Sequence, residues 1–280
     1  MKKPQVIVIV LSICLVAAIF YFGKTTATSS STNKISDNPQ LSEISIDTIL
    51  YHAKEQLKAE QVTWLGTLEQ SVIRGDVKSQ QIEIYHQLAH FWKDSAKIFE
   101  PYAWYEAEAA RLEYSEKSLT FAAHLFLDNL RVENNLQLKK WKALQAKDLF
   151  ERSLKINPQN DSSQVGLGAC YIFGAISETP MEGILRVRKV AEKDSSNVFA
   201  QMVLGQGSTL SGQYDKAIDR FERVIHIQPG NIEAILMLAE VYERKADKTS
   251  AAFWYGKAIP LMQNPALKTE LQKRITDLNK

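Results

Sequence analysis

The chain has 280 residues, 45% hydrophobic and 24% charged, which is enough apolar material for one extended domain or two small ones. Its 34 Lys plus Arg oppose 32 Asp plus Glu; with Lys2, Lys3 and Lys24 set aside as flanks of the N-terminal segment, 31 basic residues face 32 acidic ones. Nothing in that balance asks for nucleic acid, which would usually show as a clustered basic face. The two cysteines are Cys14, inside an apolar run, and Cys170, so no intrachain disulfide is expected and cysteine usage leaves the compartment open.

Val6 to Phe22, VIVIVLSICLVAAIFYF, is a seventeen-residue run whose one clearly polar side chain is Ser12. This is the lower limit for a helix that spans a bilayer. Lys2 and Lys3 also suit the start of a secretory signal, but the small-residue site near Ala27 has Thr25 where a second small residue is needed. The segment 1–24 is therefore read as a retained transmembrane anchor, with cleavage as the alternative. "LSIC" faintly resembles a lipoprotein box, yet Ile13 holds the small-residue position and the apolar run continues past Cys14. The expected placement is single-pass in the inner (cytoplasmic) membrane of a bacterial envelope, N-terminus inside and domain in the periplasm; release to the periplasm after cleavage is the alternative. Residues 25–44, rich in Ser, Thr and Asn, read as a flexible linker. As a coil of roughly twenty residues it would reach on the order of 25 Å.

From Ile46 onward strand signals are scarce and helical periodicity is nearly continuous, which predicts an all-α domain. Residues 45–81 read as capping helices, with Ile46, Ile49, Leu50, Ala53 and Leu57 at helical spacing. A unit then recurs: a large residue, a small one, and a ring or similar side chain three positions later. Its instances are Leu88-Ala89-Trp92, Ala122-Ala123-Phe126, Leu167-Gly168-Tyr171, Leu204-Gly205-Ser208 and Leu238-Ala239-Tyr242, with small members 34, 45, 37 and 34 residues apart. In QYDKAIDRFERVIHIQPGN, residues 213–231, Ala217, Phe221 and Pro229 follow at spacings of four and eight; Ala251, Tyr255 and Ala258 repeat the pattern. Small residues let two helices approach, Phe221 fills the groove beside the contact, and Pro229 ends the helix before a turn.

This pattern resembles the tetratricopeptide repeat over about residues 82–264. The resemblance implies helix-turn-helix units stacked into a right-handed superhelical α-solenoid, here 82–115, 116–160, 161–197, 198–231 and 232–264, with 265–280 as a C-terminal cap. The second unit carries about eleven extra residues, placed in VENNLQLKKWKALQ, and the third about three near ISETP. In the first, Pro101 displaces the small residue, so the second helix is expected to start there and use Ala103, Ala107 and Ala110.

The resemblance also implies a concave face made by the first helix of each unit, holding a peptide or partner protein. The register places Val165, Ala169, Phe173, Met202, Gln206, Leu210, Leu236, Glu240 and Glu243 on it, with His86, His90, Thr120 and His124 toward its N-terminal end. Val165, Ala169, Met202, Gln206, Leu236 and Glu240 stand where some relatives carry the lysines and asparagines that clamp a terminal carboxylate, so that specificity is not expected. His86, His90 and His124 on one face make zinc binding the alternative of a different class. The glycine pairs in GLGACYIFG and LGQGSTLSG follow no predicted strand and lack the third glycine of a nucleotide loop. With no nucleophile or phosphate-loop motif, the expectation is a non-enzymatic scaffold without cofactor, membrane-tethered, binding protein rather than nucleic acid. Self-association as a structural spacer is a further alternative.

Overall fold

A computed structural model describes residues 43–74, 77–177 and 180–280. The expected anchor and nearly all of the linker lie outside the described residues. Among the described residues no helix is long and apolar enough to cross a membrane.

Those residues form helices and no strand: α1 (Ile46–Glu55), α2 (Ala59–Arg74), α3 (Lys78–His90) running into a π-helical turn (Phe91–Ala96), α4 (Phe99–Glu113), α5 (Glu116–Leu130), α6 (Leu136–Ile156), α7 (Asp161–Phe173), α8 (Met181–Lys193), α9 (Val198–Leu210), α10 (Tyr214–Ile227), α11 (Ile232–Arg244), α12 (Lys248–Ala258) and α13 (Pro265–Leu278). From α3 to α12 they pair as successive hairpins, and the second helix of each pair packs on the first helix of the next. The inner helices are α3, α5, α7, α9 and α11; the outer ones are α4, α6, α8, α10 and α12.

Two local devices repeat along the stack. From the second unit onward, where one unit passes to the next, an asparagine side chain accepts a backbone N–H of the new helix: Asn160 from Ser163, Asn197 from Ala200, Asn231 from Ala234 and, before α13, Asn264 from Ala266. Each such cap contributes about 1 kcal/mol. In every unit but the second, the turn from inner to outer helix passes through one left-handed residue: Lys97, Ala175, Gly212 or Ala246, with φ of 58°, 52°, 72° and 63°. Only Gly212 is free of the Cβ penalty there.

Small residues set how closely the helices approach. A Cβ on Gly205 would lie 2.7 Å from the Phe221 ring, and Ala217 and Phe221 are fully buried beside it. In the third unit the contact is backbone to backbone: a Cβ on Gly183 would sit 2.4 Å from the Gly168 carbonyl oxygen. Gly166 makes room for the preceding outer helix, since a Cβ there would fall 2.2 Å from Phe150 Cζ. Leu167, Leu204, Leu238, Ala239, Ala251, Tyr255 and Ala258 are buried, Tyr171 and Tyr242 half-buried, and Pro229 is exposed in the turn it forces.

The extra residues of the second unit lengthen α6 to 21 residues, against 13 in α8 and 14 in α10. Its added turns bring Trp141 and Lys142 into the core. At the N-terminal end α1 packs on α4, with Ile49 in the same cluster as Ala103 and Trp141. At the other end Leu271, Ile275 and Leu278 of α13 cover Ala239, Ala251 and Tyr255.

Candidate interaction groove

The C-terminal ends of α5, α7 and α9, the start of α6 and one side of α11 border a cavity of about 680 Å³. Ile172 and Phe173 of α7, Leu210 at the end of α9 and Met237 of α11 supply its apolar surface. Val132, beyond α5, and Leu210 are 73% and 67% exposed, so large apolar side chains stand uncovered at its mouth. The polar rim is largely self-paired. Arg131 of the α5–α6 turn forms an ion pair with Glu233 of α11, and the Gln206 amide donates to the same carboxylate at 3.4 Å. Arg244 donates to Glu240 through Nε at 2.9 Å and Nη2 at 2.7 Å. Asp128 and Lys139 complete the rim and form no ion pair among the described residues.

Of the residues assigned to this face by register, Phe173, Gln206, Leu210 and Glu240 line the cavity. Val165 and Ala169 do not: at 0% and 1% exposure they are core residues. The reason is that neighbouring inner helices pack directly on one another, α5 on α7 and α7 on α9, which closes the surface over these positions. Met202 is likewise buried, clustered with Phe221 and Leu238. Leu236 packs with the residues that α13 covers, and Glu243 accepts from Arg274 of α13 at 2.9 and 3.0 Å and from the Tyr255 hydroxyl at 3.0 Å. Both belong to the seat of the C-terminal helix. Arg131, Val132, Lys139, Thr209, Glu233, Met237 and Arg244 line the cavity without having been assigned to it.

The histidine face does not assemble. His86 lies between Glu106 and Glu113, at 3.3 Å from each; His90 pairs with Asp94 at 3.2 Å; His124 contacts the Ser162 hydroxyl at 2.8 Å and stacks edge-on to Phe150. Burial lowers the pKa of His124 against the opposing pull of Asp128, which favours neutral imidazole. Among the described residues no group of three or more His, Cys, Asp or Glu is placed to hold a metal ion. Cys170 is buried in the main core, and burial pushes its thiol pKa up, which leaves it a packing residue.

Residues 209–273 match the tetratricopeptide repeat family model. The match begins at the end of α9 and runs through α10, the whole fifth unit and part of α13, the stretch in which the spacing is most regular. Among solved structures, a thermophilic TPR protein of Thermus thermophilus is similar at a TM-score of 0.51 and 15% identity, over 72% of this chain and 98% of its own. MamA from Desulfovibrio magneticus reaches a TM-score of 0.43 at 20% identity, over 67% and 96% of the two chains. YrrB, described as a TPR protein with an unusual peptide-binding site, reaches 0.42 at 19% identity, over 71% and 98%. No curated protein matches the chain. The fold is thus an all-helical repeat solenoid of the tetratricopeptide type.

Proposed function

We propose that the chain is a non-enzymatic interaction scaffold that holds an apolar segment of a partner protein in the cavity of the inner helices, and that Val6–Phe22 tethers it to a membrane with the repeats on the periplasmic side. The observation that carries the first part is the cavity itself: about 680 Å³, within the range of ligand sites, with Phe173, Leu210 and Met237 facing open space. A short amphipathic helix suits it, because such a helix inserts apolar side chains at one-turn intervals and leaves its polar face to meet Arg131, Lys139 and Glu240 at the rim. The tether rests on the length and apolar character of Val6–Phe22 and the lysines before it.

The test uses selected peptides. Binders raised against the wild-type chain are measured on a Val132→Asp, Leu210→Asp double variant, whose changes fall on exposed positions and leave the core intact. At least tenfold weaker binding is expected; unchanged binding removes the cavity as the docking surface. For the tether, the chain is expected to stay with the membrane fraction after alkaline extraction, and its appearance in the soluble fraction would dispose of that part.

A further inference from the structure

A second cavity lies between two outer helices. It is a cleft of about 380 Å³ between α8 and α10, floored by α9. Its origin is a deviation visible in the repeat. Three residues after the small member of each inner helix the other units carry a ring: Trp92, Phe126, Tyr171 and Tyr242. Trp92 and Phe126 are fully buried. Tyr171 lies close to Lys147 of outer helix α6 and to Gly183 of α8, and Tyr242 lies against Glu222 of α10. In those units the ring packs toward the outer helices. In the fourth unit the residue is Ser208, and the space stands open.

Positive charge converges on that space. Arg188 comes from α8, and Lys216, Arg220 and Arg223 come from α10; the cleft's one carboxylate is Asp219. Arg220 is held in place: its Nη1 donates at 2.7 Å to Oε1 of Gln201, a fully buried glutamine whose own amide donates to the Ser195 carbonyl at 2.9 Å. Arg188 and Arg223 form no ion pair among the described residues. Burial lowers the pKa of Arg220, and the charges of Arg223 and Arg188 lower it further, while Asp219 and Glu192 offset this in part. Guanidinium groups crowded together without matching carboxylates are the arrangement that an oxyanion with several acceptor oxygens relieves.

We propose that this cleft binds a phosphate-type dianion, with Arg188, Arg220 and Arg223 as its ligands and Lys216 at the entrance. The volume exceeds that of a bare phosphate, and Ile172 and Val203 line the cleft as well, so the phosphate is carried on a small organic body with an apolar side. A soluble phosphate ester and a lipid headgroup share this chemistry.

The test titrates the full-length chain with inorganic phosphate and with pyrophosphate, at constant ionic strength against chloride, and follows heat and melting temperature. Saturable binding is expected for the wild type, tighter for pyrophosphate. An Arg188→Gln, Arg223→Gln variant, altered at two exposed positions, is expected to bind at least tenfold more weakly. Ser208→Phe restores the missing ring and is expected to abolish binding while the melting temperature holds or rises. A co-flotation arm compares vesicles with and without phosphatidic acid: flotation that depends on the two arginines assigns the phosphate to a headgroup, and its absence beside positive titrations assigns it to a soluble ester. No saturable binding of either anion by the wild type, or equal binding by both variants, overturns the proposal.

Discussion

The second unit, α5–α6, and the last two, α9–α12, solve one packing problem with different materials. In α9–α12 the helices meet through Gly205 against Phe221 and Ala239 beside Tyr255, and no charged side chain is fully buried. In α5–α6 the longer outer helix buries Lys142 to 1% exposure, where its ammonium meets Glu133 at 2.5 Å, Asn129 at 2.6 Å and Glu100 at 2.8 Å. Thr120, Ser153 and Ser163 form a hydroxyl triangle with sides of 2.9 to 3.1 Å in the same region. The regular units depend on shape, whereas the enlarged unit depends on polar groups that must all be satisfied.

The largest expected break in this contrast is Lys142→Ala. It leaves the Glu100 and Glu133 carboxylates facing each other without their cation and should cost about 3–5 kcal/mol, read by thermal unfolding. Gly183→Ala attacks a shape contact instead: the new methyl meets the Gly168 carbonyl, and even after the helix-propensity gain a net loss of about 1–3 kcal/mol is expected. A fall in the urea midpoint with unchanged slope would confirm it. A smaller effect concerns acid. Burial lowers the folded pKa of His124, so the unfolded chain takes up a proton first as pH falls below about 6.5. Stability is fully present above that pH and declines as pH drops toward the folded value; His124→Gln should flatten this limb, and identical pH profiles would refute the assignment. At the small end, Gly256 in α12 has nothing within 4 Å of an added Cβ. Gly256→Ala is expected to stabilise by about 0.5–1 kcal/mol, the opposite sign from Gly183→Ala.

The all-helical repeat was legible because close helix contacts need small residues at fixed distances, and Gly205, Ala217, Ala239 and Ala251 stand in the sequence at those distances. The asparagines at 160, 197, 231 and 264 were an equally periodic signal, readable as N-caps, that the spacing of small residues had overshadowed. The groove was less legible. A four-residue stride marks one face of a helix, but whether that face meets solvent or a neighbouring helix depends on how closely successive inner helices approach. Phe173 and Leu210, the last residues of their helices, stay open, while Val165, Ala169, Met202 and, at 8% exposure, Gln206, earlier in theirs, are covered. Arg131 and Glu233 meet across 102 residues of sequence, a distance no local pattern encodes.

That pairing has a mechanical side. Arg131 and Glu233 sit on the second and fifth units, so the coil cannot lengthen without parting them, while a half-exposed pair of this kind contributes only about 0–1 kcal/mol. Parting the second unit from the fifth would break this pair and also uncover the packing of α5 on α7 and of α7 on α9, so the pair reports the spacing of the units more than it sets it.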